Sequence, residues 1–214
     1  MAAAPDAARG PRTRSERTAD SRLLILDAAV ACLVEDGYAA ASTLAVQARA
    51  GVSRGRLLHH FPSRAELLVA AARHLSTIQL EEVRRRAAAL MDDEPAGRER
   101  VDRAIDLMWT TFQEPPFWAA MELWTAARTD PELRAALRGE ERRLRAAIGA
   151  VADGIWGPAI TGAPLYADLT ELLFTSMRGV ALVYAFEDRP AATDPHLALW
   201  KRLAARMLAL DSQG

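Results

Sequence analysis

The chain has 214 residues, half of them hydrophobic and 26% charged, with a net charge of −1; this fits a globular protein with a sizeable core. Cys32 is the single cysteine, which excludes an internal disulfide and a cysteine-rich zinc site. No apolar run approaches the roughly 18–20 residues that cross a bilayer, and the N-terminus carries no apolar stretch of signal type, so a cytoplasmic protein without membrane contact is expected. Charge is unevenly spread: the first 75 residues hold 10 Arg against 7 Asp and Glu, the rest 17 Lys and Arg against 21 Asp and Glu. Phosphate binding wants positive charge locally rather than globally. Every basic residue but Lys201 is arginine, which beside the many alanines reads as coding bias rather than as selection for DNA.

Residues 1–20 carry no large apolar side chain after Met1 and read as a disordered arm. Arg9, Arg12, Arg14 and Arg17 would make that arm cationic, in reach of a minor groove. A first helix is predicted over 21–36, where Leu24, Ile25, Ala28, Ala29, Cys32 and Leu33 share one face, and Gly37 stops it. Ser42 caps a second helix over 43–50, a third covers 54–60, and a long fourth covers 64–91. Further helices are predicted over 97–114, 117–128, 131–154, 166–187 and 195–210, separated by Pro115-Pro116, Thr129-Asp130-Pro131, Gly157-Pro158, Gly162 with Pro164, and Arg189-Pro190. Period-two alternation is scarce, so the fold class is all-α, with about nine helices.

The stretch 50–64, AGVSRGRLLHHFPSR, has the form of a helix-turn-helix. Gly51 supplies the positive φ of the corner, and Ser53 caps the next helix. Val52 and Leu57 point inward, leaving Arg54, Gly55, Arg56, His59 and His60 outward, on the helix that enters the major groove in such motifs.

Residues 21–68 as a whole resemble the TetR family of bacterial transcriptional regulators. The likeness is carried by Ile25 to Ala29, Glu35-Asp36-Gly37-Tyr38, Ser42, Ala50 to Gly55, Leu57, His59 to Arg64 and Glu66-Leu67-Leu68. It implies a DNA-binding domain over 21–68 and an effector-binding and dimerisation domain over 69–214. It further implies a homodimer on double-stranded DNA, most often a repressor released from a palindromic operator by a small molecule. Carried over by position, Ser42, Thr43, Ser53, Arg56, His59, His60 and Arg64 fall where phosphates or base edges are met, and Arg54 and Gly55 fall at base-reading positions. Hydroxyls and free amides at a helix start suit phosphate, and arginine suits guanine. The chain departs from the family pattern at Leu58, usually tyrosine, and at Leu44, Gln47 and Arg56. The last two long helices are implied to form the dimer interface, with one apolar stripe through Leu169, Leu172, Leu173, Met177, Val180 and Tyr184 and part of another at Leu203, Met207 and Leu210.

Trp109, Phe112, Phe117, Trp118, Met121 and Trp124 cluster within sixteen residues around a helix break, with Phe174 and Met177 placed to close over them. Such a cluster suits a hydrophobic effector. Adjacent His59 and His60 diverge around a helix and do not chelate one ion, and no nucleophile motif or phosphate-cradling loop is present; neither enzyme activity nor a metal or other cofactor is expected. A second reading, a helical small-molecule-binding or scaffold protein with a degenerate head, rests on Leu44 and Leu58.

Overall fold

The computed structural model describes residues 14–91, 97–187 and 190–210. Among these residues the chain is all-α, with ten helices, one short 3-10 turn and no strand. No helix among them is long and apolar enough to cross a membrane. Helix α1 (Arg14–Ala40) begins seven residues before the predicted start. Residues 14–20, assigned from the sequence to a disordered arm, hold no proline or glycine and continue the helix; this corrects that part of the arm. The remainder, Arg9 and Arg12 included, lies outside the described residues. Gly37 breaks α1 as predicted, with φ 76° and ψ 176°, and one further turn follows it.

Helices α2 (Thr43–Ala50), α3 (Arg54–His60) and α4 (Arg64–Met91) have the bounds that their caps predict. Helix α5 (Gly97–Thr111) is followed by α6 (Pro115–Ala126). The two prolines that read as a break are the first turn of α6, where their missing amides are no loss. Helix α7 (Pro131–Trp156) is capped by Asp130. The short α8 (Pro158–Thr161) was not predicted, because Gly157-Pro158 reads as punctuation although proline also opens helices. Helices α9 (Tyr166–Val183) and α10 (Pro195–Met207) complete the chain.

Two apolar cores hold these helices. The first joins Ile25 and Leu33 of α1, Val46 of α2, Leu57 of α3 and Leu67 and Leu68 of α4 to Leu123 of α6 and Leu133 of α7. The second gathers Ile105, Trp109, Trp156, Leu169, Leu173, Met177 and Trp200. The stripe assigned to a dimer interface therefore divides: Leu169, Leu173 and Met177 are fully buried inside the chain. The outward apolar set of this region is Leu165, Leu172, Leu182 and Phe186, the last 78% exposed.

Candidate nucleic-acid interface and ligand cavity

The α2–α3 unit is built by caps. Ser42 Oγ accepts the Ala45 amide at 3.1 Å, and Ser53 Oγ accepts the Arg56 amide at 3.3 Å. Between them Gly51 turns the chain in the left-handed region, φ 64°, where glycine has no steric penalty. Leu57, 1% exposed, pins α3 to the first core. That anchor fixes the rotation of the helix, and Arg54, Gly55, Arg56, Leu58 and His59 face outward. Arg54 and Arg56 have no ion-pair partner among the described residues. A Cβ at Gly55 would meet nothing within 4 Å, so nothing within the chain demands glycine there. Ser42 and Thr43 lie half-buried at the start of α2, beside Leu44, which is 72% exposed. His60 is half-buried. Burial first, then the nearby His59, Arg22 and Arg56, hold its pKa below the ordinary imidazole value, so it is neutral at pH 7.

Arg64, implied at phosphate, has partners inside the chain. Its Nε donates to the Ala41 carbonyl at 3.0 Å, and its Nη2 donates to the Tyr38 carbonyl. The guanidinium lies 4.0 Å from the centre of the Tyr38 ring. The half-buried arginine thus staples the α1–α2 corner to the start of α4, an engagement that sequence position alone does not reveal.

The same corner meets the rest of the protein. The Tyr38 amide donates to Glu122 Oε2 at 2.9 Å, and its phenol donates to Asp130 Oδ2 at 2.8 Å. Asp130 Oδ1 accepts the Leu133 amide at 2.9 Å and so caps α7. The Leu133 amide, followed by the Tyr38 hydroxyl, holds the Asp130 carboxyl below its usual range. Burial, then the bond to Asp130, raises the Tyr38 phenol. Gly37 leaves the space: a Cβ there would stand 3.5 Å from the Glu122 carboxylate.

A cavity of about 200 Å³ lies between α4, α6 and α7. Val69, Leu80, Leu123, Leu137 and Leu144 make it apolar, while Arg73, Glu140, Glu141 and Arg143 bring charge to it. Trp124 is the one member of the predicted effector set that lines it. The other members of that set lie off this cavity. Trp109, Phe112, Phe117 and Met177 are buried in the second core, with Trp118, Met121 and Phe174 packed against it. The rings fill that space with one another, Phe112 lying 5.5 Å from Phe117 and 5.3 Å from Phe174 in edge-to-face contacts.

Around the cavity the ion pairs are specific. Glu140 accepts from Arg143 at 2.7 Å and from Arg73 at 3.3 Å. Arg145 stands 3.9 Å from both Glu141 and Glu171. Arg178 of α9 makes neither an ion pair nor a side-chain hydrogen bond among the described residues; its guanidinium stacks 4.6 Å from the centre of the Trp124 ring and 5.7 Å from that of Phe174. Burial lowers its pKa, against the pull of Glu141. Sequence reading passed over it, although Phe174 and Arg178 are one helical turn apart.

Comparison with known proteins decides the family. The profile of the bacterial regulatory proteins, tetR family, matches residues 25–71. The HTH-type transcriptional regulator CymR of Pseudomonas putida is 32% identical over 175 residues, covering 80% of this chain and 82% of that protein. The chain belongs to the TetR family. Among solved structures, the multidrug binding protein EbrR complexed with imidazole superposes with a TM-score of 0.59 at 24% identity, over 87% of this chain and 94% of that one. A transcriptional regulator from Saccharomonospora viridis in complex with choline does so with a TM-score of 0.56 at 18% identity, over 89% and 96%. These two likenesses establish the TetR fold, and the protein is a TetR-family transcriptional regulator with a helix-turn-helix DNA-binding head.

Proposed function

We propose that this regulator is a homodimeric repressor that holds a palindromic operator through α3 and releases it when a hydrophobic small molecule enters the α4–α6–α7 cavity. The observation that carries the reading is the exposed face of α3, where Arg54 and Arg56 stand free of carboxylates on either side of a bare Gly55. Arg54 reads a base edge, Gly55 lets backbone approach, and Arg56 and His59 meet phosphate or bases. Ser42, Thr43 and Ser53 orient phosphate at helix starts, and His60 contributes as a neutral ring. Arg64 acts as a positioning residue. Leu44 and Leu58, exposed nearby, suit thymine methyl groups.

Dimerisation is supported by α9. Leu172, Gly179 and Leu182 of α9 are exposed, as are Leu165 at its N-cap and Phe186 just past its end, which leaves apolar surface for a partner chain to cover. Leu199 of α10 is also exposed. The effector reading is supported by the cavity, whose walls come from the same α6 and α7 that grip Tyr38 through Glu122 and Asp130. A ligand that favours one arrangement of these helices then biases the head.

The test is selection of a binding site from random DNA, followed by titration at several salt concentrations. With about two to three phosphates neutralised per protomer, log K is expected to fall against log[salt] with a slope between about −3.5 and −5.5 for a dimer. A palindromic product is expected. No selected sequence, or an affinity indifferent to salt, overturns the proposal.

A further inference from the structure

We propose that the effector is a small organic anion, a carboxylate carried on a compact apolar body, and that Arg178 receives the carboxylate while the body occupies the cavity beside Trp124. This rests on the reading of the cavity as the effector site. Arg73, Arg143, Glu140 and Glu141 line that space, Arg145 and Glu171 extend the ion pairs from Glu141, and Arg178 stacks on the lining Trp124. Arg73 and Arg143 are taken by Glu140, and Arg145 is shared by Glu141 and Glu171. Arg178 is left over. Glu140 is held by two arginines and Glu141 more loosely by Arg145 at 3.9 Å, whereas Arg178 has no carboxylate within ion-pair distance among the described residues; an anion finds that guanidinium waiting.

The geometry of Arg178 suits that task. Its guanidinium is half-buried, so it has already lost part of its water, and it is held flat against an indole instead of by a carboxylate. Stacking occupies the face of the group and leaves its in-plane N–H donors available. A planar fork of donors matches the two oxygens of a carboxylate. The same indole lines the cavity, which places the anion-binding group and the apolar space on one side chain. The walls contributed by Val69, Leu80, Leu123, Leu137 and Leu144 offer the body of the ligand no hydrogen bonds from their side chains. At about 200 Å³ the cavity is smaller than most ligand sites, which limits the body to a ring system or a medium-length chain.

The experiment is calorimetric titration of the full-length protein with four probes: phenylacetate, octanoate, the neutral phenylacetamide and the cation benzyltrimethylammonium. The two acids are expected to bind, and whichever is tighter tells an aromatic body from an aliphatic one. Arg178→Gln is expected to weaken the tighter acid by about tenfold or more, whereas Arg178→Lys, which keeps the charge but loses the fork, loses less. Circular dichroism confirms that each variant is helical, and the lysine variant carries the test if the glutamine variant does not fold. Failure of both acids to bind at millimolar concentration, or acid binding indifferent to Arg178, overturns the proposal. A cavity-filling Ala120→Phe separates this from the reading beneath it. If benzyltrimethylammonium or phenylacetamide binds in place of the acids and is lost in that variant, the cavity stands as the site and only the anion is wrong. If acids bind the filled variant as well as the wild type, the cavity is not the site and both readings fall.

Discussion

The arginines of α3 and those along the body of α4 live under opposite rules. Along α4 beyond its first turn they are neutralised at close range: Arg73 by Glu140, Arg84 by Glu81, Arg85 by Glu82, and Arg86 by Glu82 and Glu114. On α3, Arg54 and Arg56 face solvent with no such partner among the described residues. Missing partners alone do not mark a nucleic-acid surface, since Arg138 and Arg142 of α7 are also exposed and unpaired among the described residues; Arg54 and Arg56 are set apart by standing on the second helix of the helix-turn-helix. Exposed ion pairs add little stability in water. Arg178, free of pairs but half-buried on aromatic rings, belongs to neither group.

That contrast can be broken by substitution. The largest effect is expected at the anchor beneath the cationic face: Leu57→Ala should cost about 2–5 kcal/mol of stability in urea titrations, because it opens a cavity at the α1–α2–α3 junction. Next stands Arg64→Ala. Losing bonds from a charged donor to two backbone carbonyls should lower stability by about 1.5–3 kcal/mol, and operator affinity should fall as a consequence. A loss of affinity with the urea midpoint unchanged would restore Arg64 as a phosphate contact. Arg54→Ala should do the reverse, removing about 1–3 kcal/mol of operator affinity and relaxing one base pair per half-site while the midpoint holds. The smallest effect is expected at a paired arginine: Arg84→Ala, which loses only a solvent-exposed bond to Glu81 at 3.4 Å, should change stability by less than about 1 kcal/mol and leave operator affinity alone. Equal responses at Arg54 and Arg84 would end the comparison.

Acid sharpens it at the Tyr38 corner. The Asp130 carboxyl is held below its ordinary value of 3.8 in the folded protein. Its contribution is thus fully present above that value and is lost as the pH falls through the lower folded one. Stability measured between pH 5 and about pH 2 should drop less steeply in Asp130→Asn, which keeps a capping oxygen without the titration.

The head was largely legible because its signals are local. Ser42, Gly51 and Ser53 each act on residues within a turn or two, and the bounds of α2 and α3 follow from them. The cavity was not legible in the same way. Leu137, Glu140, Glu141 and Leu144 do form a helical stripe, and Arg73, Ser76, Thr77 and Leu80 form another, yet nothing in either says that they face each other. Large rings near a helix break serve a core as well as a pocket, and here all of the cluster but Trp124 lies in or against the second core. In α9 the apolar residues outnumber one face, so periodicity mixed the buried Leu169, Leu173 and Met177 with the exposed Leu172. The bonds of Arg64 reach back 23 and 26 residues, and the indole under Arg178 belongs to another helix, so local spacing shows neither engagement.

Cys32 is buried in the first core, and all five tryptophans lie between residues 109 and 200. The protein therefore carries two reporters that do not overlap. A thiol reagent reaches Cys32 only when the head opens, so its labelling rate under native conditions clocks that opening. Indole emission follows the remainder of the chain. The order in which the two halves come apart, and whether operator DNA slows one clock without touching the other, can be timed on the wild-type protein with no residue substituted.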